Sequence, residues 1–309
     1  MENTHYLRRF FVATLVPALF SFATVIVSVS YYQEYGVVLF VLLPFLIGFS
    51  STVLYGRDKL LRVFSATFFS LLFLGIILIA LAFEGAICLV MAFPLALILA
   101  YCGTLVGMIS WSTKKNSLRI LPLVLFCLLP FSLNFESSNK SAPIVYKVVS
   151  TVEINAPIKT VWRNVVAFPQ IENEPEGILR LGFAYPINAK IDGAGAGAIR
   201  HCNFNTGAFV EPITAWQEPN LLAFDVREQP APMNEMSPYD NLQAAHLDYI
   251  KSERGQFRLY EKDGVTVVEG TTFYTHDIAP DFYWNLFSDE IIHQIHLRVL
   301  NHIRKVSEE

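Results

Sequence analysis

The sequence predicts an α-helical membrane half of about five transmembrane helices, followed by an α+β soluble domain. Three observations predict it. Long apolar stretches fill the chain up to residue 135, at 10–31, 36–55, 61–83, 85–110 and 118–135. Each is close to the ~20 residues a helix needs to cross ~30 Å of hydrocarbon. Charge divides the chain at the same place: nine of the 23 bases and five of the 27 acids precede residue 145, so the first half carries net +4 and the rest net −8. Beyond residue 145 the apolar pattern shortens to strand-like alternation and closes with one long amphipathic helix.

The membrane half is read from its connecting segments. Arg8 and Arg9 precede the first stretch, whereas Gln33 and Glu34 follow it without a base. Arg57, Lys59 and Arg62 follow the second, only Glu84 separates the third from the fourth, and Lys114, Lys115 and Arg119 follow the fourth. Bases collect on the cytoplasmic side of membrane proteins, so the alternation reads in, out, in, out, in. The expected localisation is a bacterial cell membrane, with the N-terminus cytoplasmic and everything beyond residue 135 extracytoplasmic. Ser28 to Ser30 resembles a signal-cleavage site, but the first apolar run exceeds the usual ~7–15 residues and is expected to remain as a span. The fifth stretch, Leu118 to Phe135, is the weakest and contains Pro122 and Pro130. If it lay in the interface, the second half would be cytoplasmic; three bases before it and a nearly neutral segment after it favour a crossing. Glu84, beside Gly85, is either a functional intramembrane carboxylate or part of a hairpin turn. Pro17, Pro44 and Pro94 are tolerated kinks. With no charged pathway through the spans, this half reads as an anchor or scaffold.

The soluble half begins after a polar linker, 136–144, and its ~165 residues suffice for one domain with a real core. Val145 to Ile154 alternates and is β-branched, which marks a strand. Asn155-Ala156-Pro157 opens a helix through Val161, Trp162 and Val165. Strand character recurs near 180–190, 197–206, 208–217, 220–228, 252–261 and 265–276, with turns at Gly193, Gly195, Gly197 and Asp263-Gly264. Pro280 to Glu309 is a helix whose apolar arc runs through Trp284, Ile291, Ile292, Ile295, Val299, Ile303 and Val306. Its net charge of −8 makes this half a poor partner for nucleic acid. Cys88, Cys102 and Cys127 lie in spans, so Cys202 has no partner for a disulfide within the soluble half.

A strand, then Ala156-Pro157, then a helix bearing Val161-Trp162, is how members of the START-like or SRPBCC superfamily open. Residues 145–309 resemble that superfamily, with its polyketide cyclase/dehydrase and lipid-transport families, also in Gly193 to Gly197, Gly207 to Glu211, Trp216, Arg254 to Phe257, Gly270 to Thr272 and the long closing helix. The membrane half resembles nothing recognised. The resemblance implies a helix-grip fold, a curved antiparallel sheet wrapped around the C-terminal helix with an apolar cavity between them. It implies binding of a hydrophobic small molecule or lipid, and it carries no shared catalytic motif.

Candidate ligand-binding residues come from the pattern. Asp289, His293 and His296, spaced i, i+4, i+7, form one stripe of the last helix bordering its apolar arc. A metal role for them is not expected, since a fourth ligand is missing; structural hydrogen bonding and ligand contact stay open. By the period-two rule Arg200, Cys202 and Phe204 share one strand face, and His201 and Asn203 the other. Glu211 and Arg254 sit on neighbouring strands, so Arg200, Glu211 and Arg254 can form an internal network that orients a polar ligand head, or else a solvated outer face. Gly193 to Gly197 is followed by a strand, which argues against a phosphate loop. Cys202 and His201 point to opposite faces and cannot form a dyad. The segment 228–250, rich in Pro, Met and Tyr with a possible short helix over Leu242 to Tyr249, is either a lid or an excursion packed on the sheet edge. The expected function is a membrane-anchored binding protein with no cofactor. A cyclase- or hydrolase-like enzyme using His293 or His296, and a regulatory or assembly protein with a filled cavity, are the alternatives.

Overall fold

In the computed structural model, residues 2–56, 58–113, 120–140, 142–239 and 250–309 are described. The expected bases Arg57, Lys114, Lys115 and Arg119 and the expected helix over Leu242 to Tyr249 lie outside them. The chain divides into two compact units. The first comprises 1–142, 235–245 and 278–283; the second comprises 143–234, 246–277 and 284–309.

The first unit is built from five helices long and apolar enough to cross a membrane. α1 (Glu2–Ile26) continues into a π-helical stretch, Val27–Tyr32. A π-helical turn at Val38–Leu42 leads into α2 (Leu43–Tyr55), followed by α3 (Leu60–Ala80), α4 (Ala86–Thr113) and α5 (Leu121–Ser138). The span containing α2 is the central one: 72% of it is buried, against 22% for the spans of α4 and α5. Small residues make its crossing with α4 possible, because a Cβ on Gly48 would strike the Ala100 carbonyl and one on Gly103 the Phe45 carbonyl. Threonines satisfy themselves against the helix backbone, as when Thr52 donates to Gly48 O at 2.9 Å and Thr104 to Ala100 O at 3.1 Å.

Three carboxylates of this unit sit at helix ends or turns. Glu84 lies in the turn between α3 and α4, as a hairpin requires, and is buried there, accepting a 2.7 Å bond from Tyr35 Oη. Glu136 belongs to α5, which runs beyond the expected end of the span. Its carboxylate accepts from Val37 N and Val38 N at the start of the second span, where a helix N-terminus favours negative charge. Glu235 accepts from Ile87 N at 3.2 Å, and Ala86 N donates to Met236 O at 3.0 Å, so residues 235–236 cap the first turn of α4. This part of 228–250 is therefore neither a lid nor a sheet-edge excursion; it groups with the helices whose N-terminus it satisfies.

The second unit is a helix-grip fold, a seven-stranded antiparallel sheet curled around a long C-terminal helix. Its strands are β1 (Tyr146–Ile154), β2 (Pro186–Asp192), β3 (Ile199–Phe204), β4 (Gly207–Gln217), β5 (Leu221–Asp225), β6 (Ile250–Lys262) and β7 (Val265–His276). They lie in the order β1-β7-β6-β5-β4-β3-β2. In β1, Val148, Ser150, Val152 and Ile154 are buried and their neighbours are exposed, the alternation of a half-buried strand. The expected strand at 180–190 starts only at Pro186. A short 3₁₀ turn, Gly177–Leu181, precedes it, and Gly182 at φ 108° breaks the extended path. α6 (Ile158–Val166) buries Val161, Trp162, Val165 and Val166, with Pro157 just before its first turn. Trp162 meets Trp216 edge-on, ring centroids 5.5 Å apart. α7 (Asp281–Glu308) contributes Val299, Leu300 and Ile303 to the same core, which gathers Ile154, Val161, Leu222, Leu259 and Val268.

Candidate functional site

Between the concave face of the sheet and α7, the second unit holds a partly open cavity of about 100 Å³. Phe204, Phe209, Phe224, Phe257, Ile295 and Val299 make most of its wall apolar. The antiparallel register of β3 and β4 sets its polar centre, because Arg200 lies directly opposite Glu211 and both side chains turn inward. They form an ion pair that is almost wholly buried, Arg200 being 1% exposed and Glu211 6%. Arg200 Nε donates to Val166 O at 3.0 Å. The guanidinium also lies 5.7–5.8 Å from the ring centroids of Phe168, Phe224 and Phe257, within cation–π range.

Two buried charges at one point of an apolar wall require each other, since either alone would face a desolvation penalty of several kcal/mol. Burial by itself would lower the Arg200 pKa, but the Glu211 carboxylate beside it outweighs that and holds it above its usual value. Burial pushes the Glu211 carboxyl up, with the Arg200 charge opposing. Among the described residues Glu211 is bonded through Oε2 alone, which leaves Oε1 without a protein partner at the cavity wall. Cys202 also lines the cavity, and burial, then the Glu211 charge, pushes its thiol up to about 12. A thiol held protonated in this way is not a nucleophile at neutral pH.

The expected stripe of α7 meets the sheet through one hydrogen bond after another. Asp289 Oδ1 accepts from Tyr274 Oη at 2.6 Å. His293 Nδ1 lies 2.7 Å and His296 Nδ1 3.0 Å from the Ser150 hydroxyl, while His296 Nε2 lies 2.7 Å from the Thr272 hydroxyl. His296 lines the cavity; Asp289 and His293 lie beyond its lining. Burial, then the neighbouring His293, lowers the His296 pKa to about 4, so the ring is neutral at pH 7. Both of its nitrogens are engaged by the protein. Tyr274 is correspondingly pushed up by burial and by Asp289.

The structure thus brings Arg200, Cys202, Glu211 and His296 to one cavity. Arg254 borders it without entering the ion pair. A register shift in β6 puts Arg254 opposite Phe273, and its guanidinium lies 4.3 Å from that ring's centroid. His201 turns away from the cavity, toward Asp192, at 3.6 Å. Sequence reasoning missed Ser150, Thr272 and Tyr274 as partners of the stripe. Ser150 carried a signal, as the single polar residue at an inward position of an otherwise apolar β1. The aromatic surround of Arg200 was not legible, because Phe168, Phe224 and Phe257 come from three separate segments. Among the described residues no three His, Cys, Asp or Glu side chains are grouped as metal ligands.

No family model and no curated protein matches this chain. Among solved structures it is similar to a protein of Nitrosospira multiformis at 18% identity and TM-score 0.34, covering 52% of this chain and 96% of that one. Norcoclaurine synthase from Thalictrum flavum is similar at 15% identity and TM-score 0.34, over 54% and 96% of the two chains. Major latex-like protein 151 from Panax ginseng is similar at 12% identity and TM-score 0.34, over 53% and 99%. What the cavity does is decided by its own side chains.

Proposed function

We propose that this chain is a membrane-anchored binding protein. Its five long helices span the bilayer with the N-terminus cytoplasmic, and its helix-grip domain, outside the cytoplasm, holds a small apolar molecule with one polar end. The observation that carries the binding reading is the inward-turned Arg200–Glu211 ion pair at the wall of an otherwise apolar cavity, where among the described residues Glu211 is bonded through Oε2 alone. A ligand donor is the natural complement to the second carboxylate oxygen, since hydrogen bonds to an ionised acceptor are the strong ones. Volume bounds the ligand. An apolar cavity of ~150 Å³ accepts benzene, and dedicated drug-sized pockets run to ~300–1,000 Å³. At about 100 Å³ the cavity itself takes a group of a few heavy atoms. Binding is favoured over acid–base catalysis by the state of His296 and Cys202, the first with both nitrogens engaged and the second held as a thiol.

The test is native mass spectrometry of the full chain released from detergent, followed by organic extraction of the same sample. A single small organic molecule bound one to one supports the proposal. A preparation that carries no such molecule, and gains none when incubated with a total-cell organic extract, contradicts it.

A further inference from the structure

Two segments from the later half of the sequence, 235–239 and 278–283, belong to the helical unit. Both attach at one end of its helices. Ala86 N donates to Met236 O and the Tyr239 hydroxyl donates to Ala80 O, so the first segment bridges the last turn of α3 and the first of α4. In the second, Ala279 N donates to Tyr35 O at 3.0 Å, and the Tyr283 hydroxyl, in the first turn of α7, donates to Met91 O of α4. The helix connections at this end, 33–37 and 81–85, carry no Lys or Arg. Met91 is five residues past the start of α4, which is about 7–8 Å along the helix axis. Its neighbour Val90 is 70% exposed, within a helix long and apolar enough to cross a membrane. Phe282, beside Tyr283, is 73% exposed. Met236, Tyr239, Leu81 and Tyr31 are exposed around the same helix ends.

We propose that 235–239 and 278–283 are interfacial anchors, which seat Met236, Tyr239 and Phe282 in the outer leaflet at the boundary between lipid headgroups and acyl chains. Their placement rests on the spanning helices proposed above. With α4 across the bilayer, its exposed Val90 faces lipid, and Phe282 lies one residue from the tyrosine tied to the carbonyl next to Val90. An apolar face at the interface is buried about 5–10 Å into that boundary, which is the depth that Met91 sets. Aromatic rings with one polar end collect at this level, provided the polar end is satisfied. Tyr239 and Tyr283 meet that condition, each giving its hydroxyl to a helix carbonyl. Charge bounds the depth from the other side. Asp281, at the first position of α7, keeps the segment out of the hydrocarbon core, while Phe282 beside it favours leaving water. Neither segment contains a Lys or Arg, so apolar insertion holds them and not attraction to anionic lipid.

The test uses the full chain reconstituted into phosphatidylcholine vesicles, with phosphatidylcholine brominated either near the top of the acyl chain or near its tail as quencher. Phe282→Trp and Met236→Trp each put a fluorophore in one segment, so either decides if the other misfolds. Ile98→Trp puts one at an exposed position in the middle of α4, where it reads the span itself. What is followed is the emission that each variant adds to that of the four native tryptophans. At 282 and 236 it should lose most of its intensity to the shallow bromines, less to the deep ones and little to iodide in the water. At 98 the deep bromines should quench more strongly than the shallow ones. Emission at 282 or 236 that iodide quenches and neither brominated lipid does, with 98 still quenched by the deep bromines, overturns the anchor at that segment and leaves the spans standing. Emission at 98 that neither brominated lipid quenches overturns the spans, and the anchors with them.

Discussion

Replacing Glu211 with leucine removes the partner of a cation that is 1% exposed. The surroundings of Arg200 show how much of the loss is absorbed. One hydrogen bond, to Val166 O at 3.0 Å, survives, and three aromatic faces remain at 5.7–5.8 Å. Neither replaces a full countercharge, and breaking a buried pair from one side costs about 3–5 kcal/mol. For a domain of this size each kcal/mol moves the melting temperature by about 2–4 °C, so Glu211→Leu should lower it by roughly 6–20 °C. Removing both charges tells a different story. Arg200→Met combined with Glu211→Leu leaves no orphaned ion, and such exchanges are neutral or stabilising by up to about 4 kcal/mol. The assay is thermal unfolding of the purified full chain, followed by the tryptophan fluorescence to which the Trp162–Trp216 contact contributes. A double variant as unstable as the single one would refute the reasoning, because the damage would then come from lost packing and not from an uncompensated charge.

Other outcomes follow from the same geometry. His296→Leu leaves Thr272 without its ring partner and Ser150 with His293 alone, and the melting temperature should fall by the equivalent of about 1–3 kcal/mol. The pH dependence has a definite sign. The folded pKa of His296 is lowered to about 4, below the ~6.5 of an unfolded histidine, so the unfolded state binds the extra proton. Its contribution is therefore complete above pH ~6.5 and is lost as pH falls toward 4, up to about 3 kcal/mol in all; urea titrations of wild type and His296→Gln across that window should converge at the acid end. Gly48→Leu puts a side chain where the Ala100 carbonyl passes, and should abolish the α2–α4 crossing, seen as aggregation on size-exclusion chromatography in detergent. A reporter active only outside the cytoplasm, fused after residue 140, should be active; cytoplasmic activity there would contradict the five-span topology.

Much of the architecture was legible because it rests on periodicity. The five apolar runs set the five helices, the alternation of Val148 to Ile154 set β1, and the glycines after β2 set its turn. Face assignments along β3 followed for the same reason, since Arg200, Cys202 and Phe204 must share a side once the strand is granted. What failed to show was anything decided by register or by distant segments. The direct opposition of Arg200 and Glu211 depends on how β3 and β4 align, and the shift in β6 that turns Arg254 onto Phe273 has no local signature. The same holds for residues 235–236. Their Pro- and Met-rich surroundings suit a lid as well as a cap, and only the unmet N–H groups at the start of α4 decide between them. The stripe on α7 was visible as a spacing, yet its meaning lay in Ser150 and Thr272 on the facing strands.

Whether the cavity between the sheet and α7 is the place where this chain holds a ligand can be asked with one variant that fills it. Val299 lines the cavity and is buried, so Val299→Phe adds a ring to a space of about 100 Å³. The measurement is ligand occupancy by native mass spectrometry, wild type against variant, on full chains purified in parallel and shown to elute alike. Loss of the bound molecule from the variant, with the fold retained, is the predicted result. The same molecule at the same occupancy in both proteins would contradict it, because the ligand would then sit elsewhere in the chain.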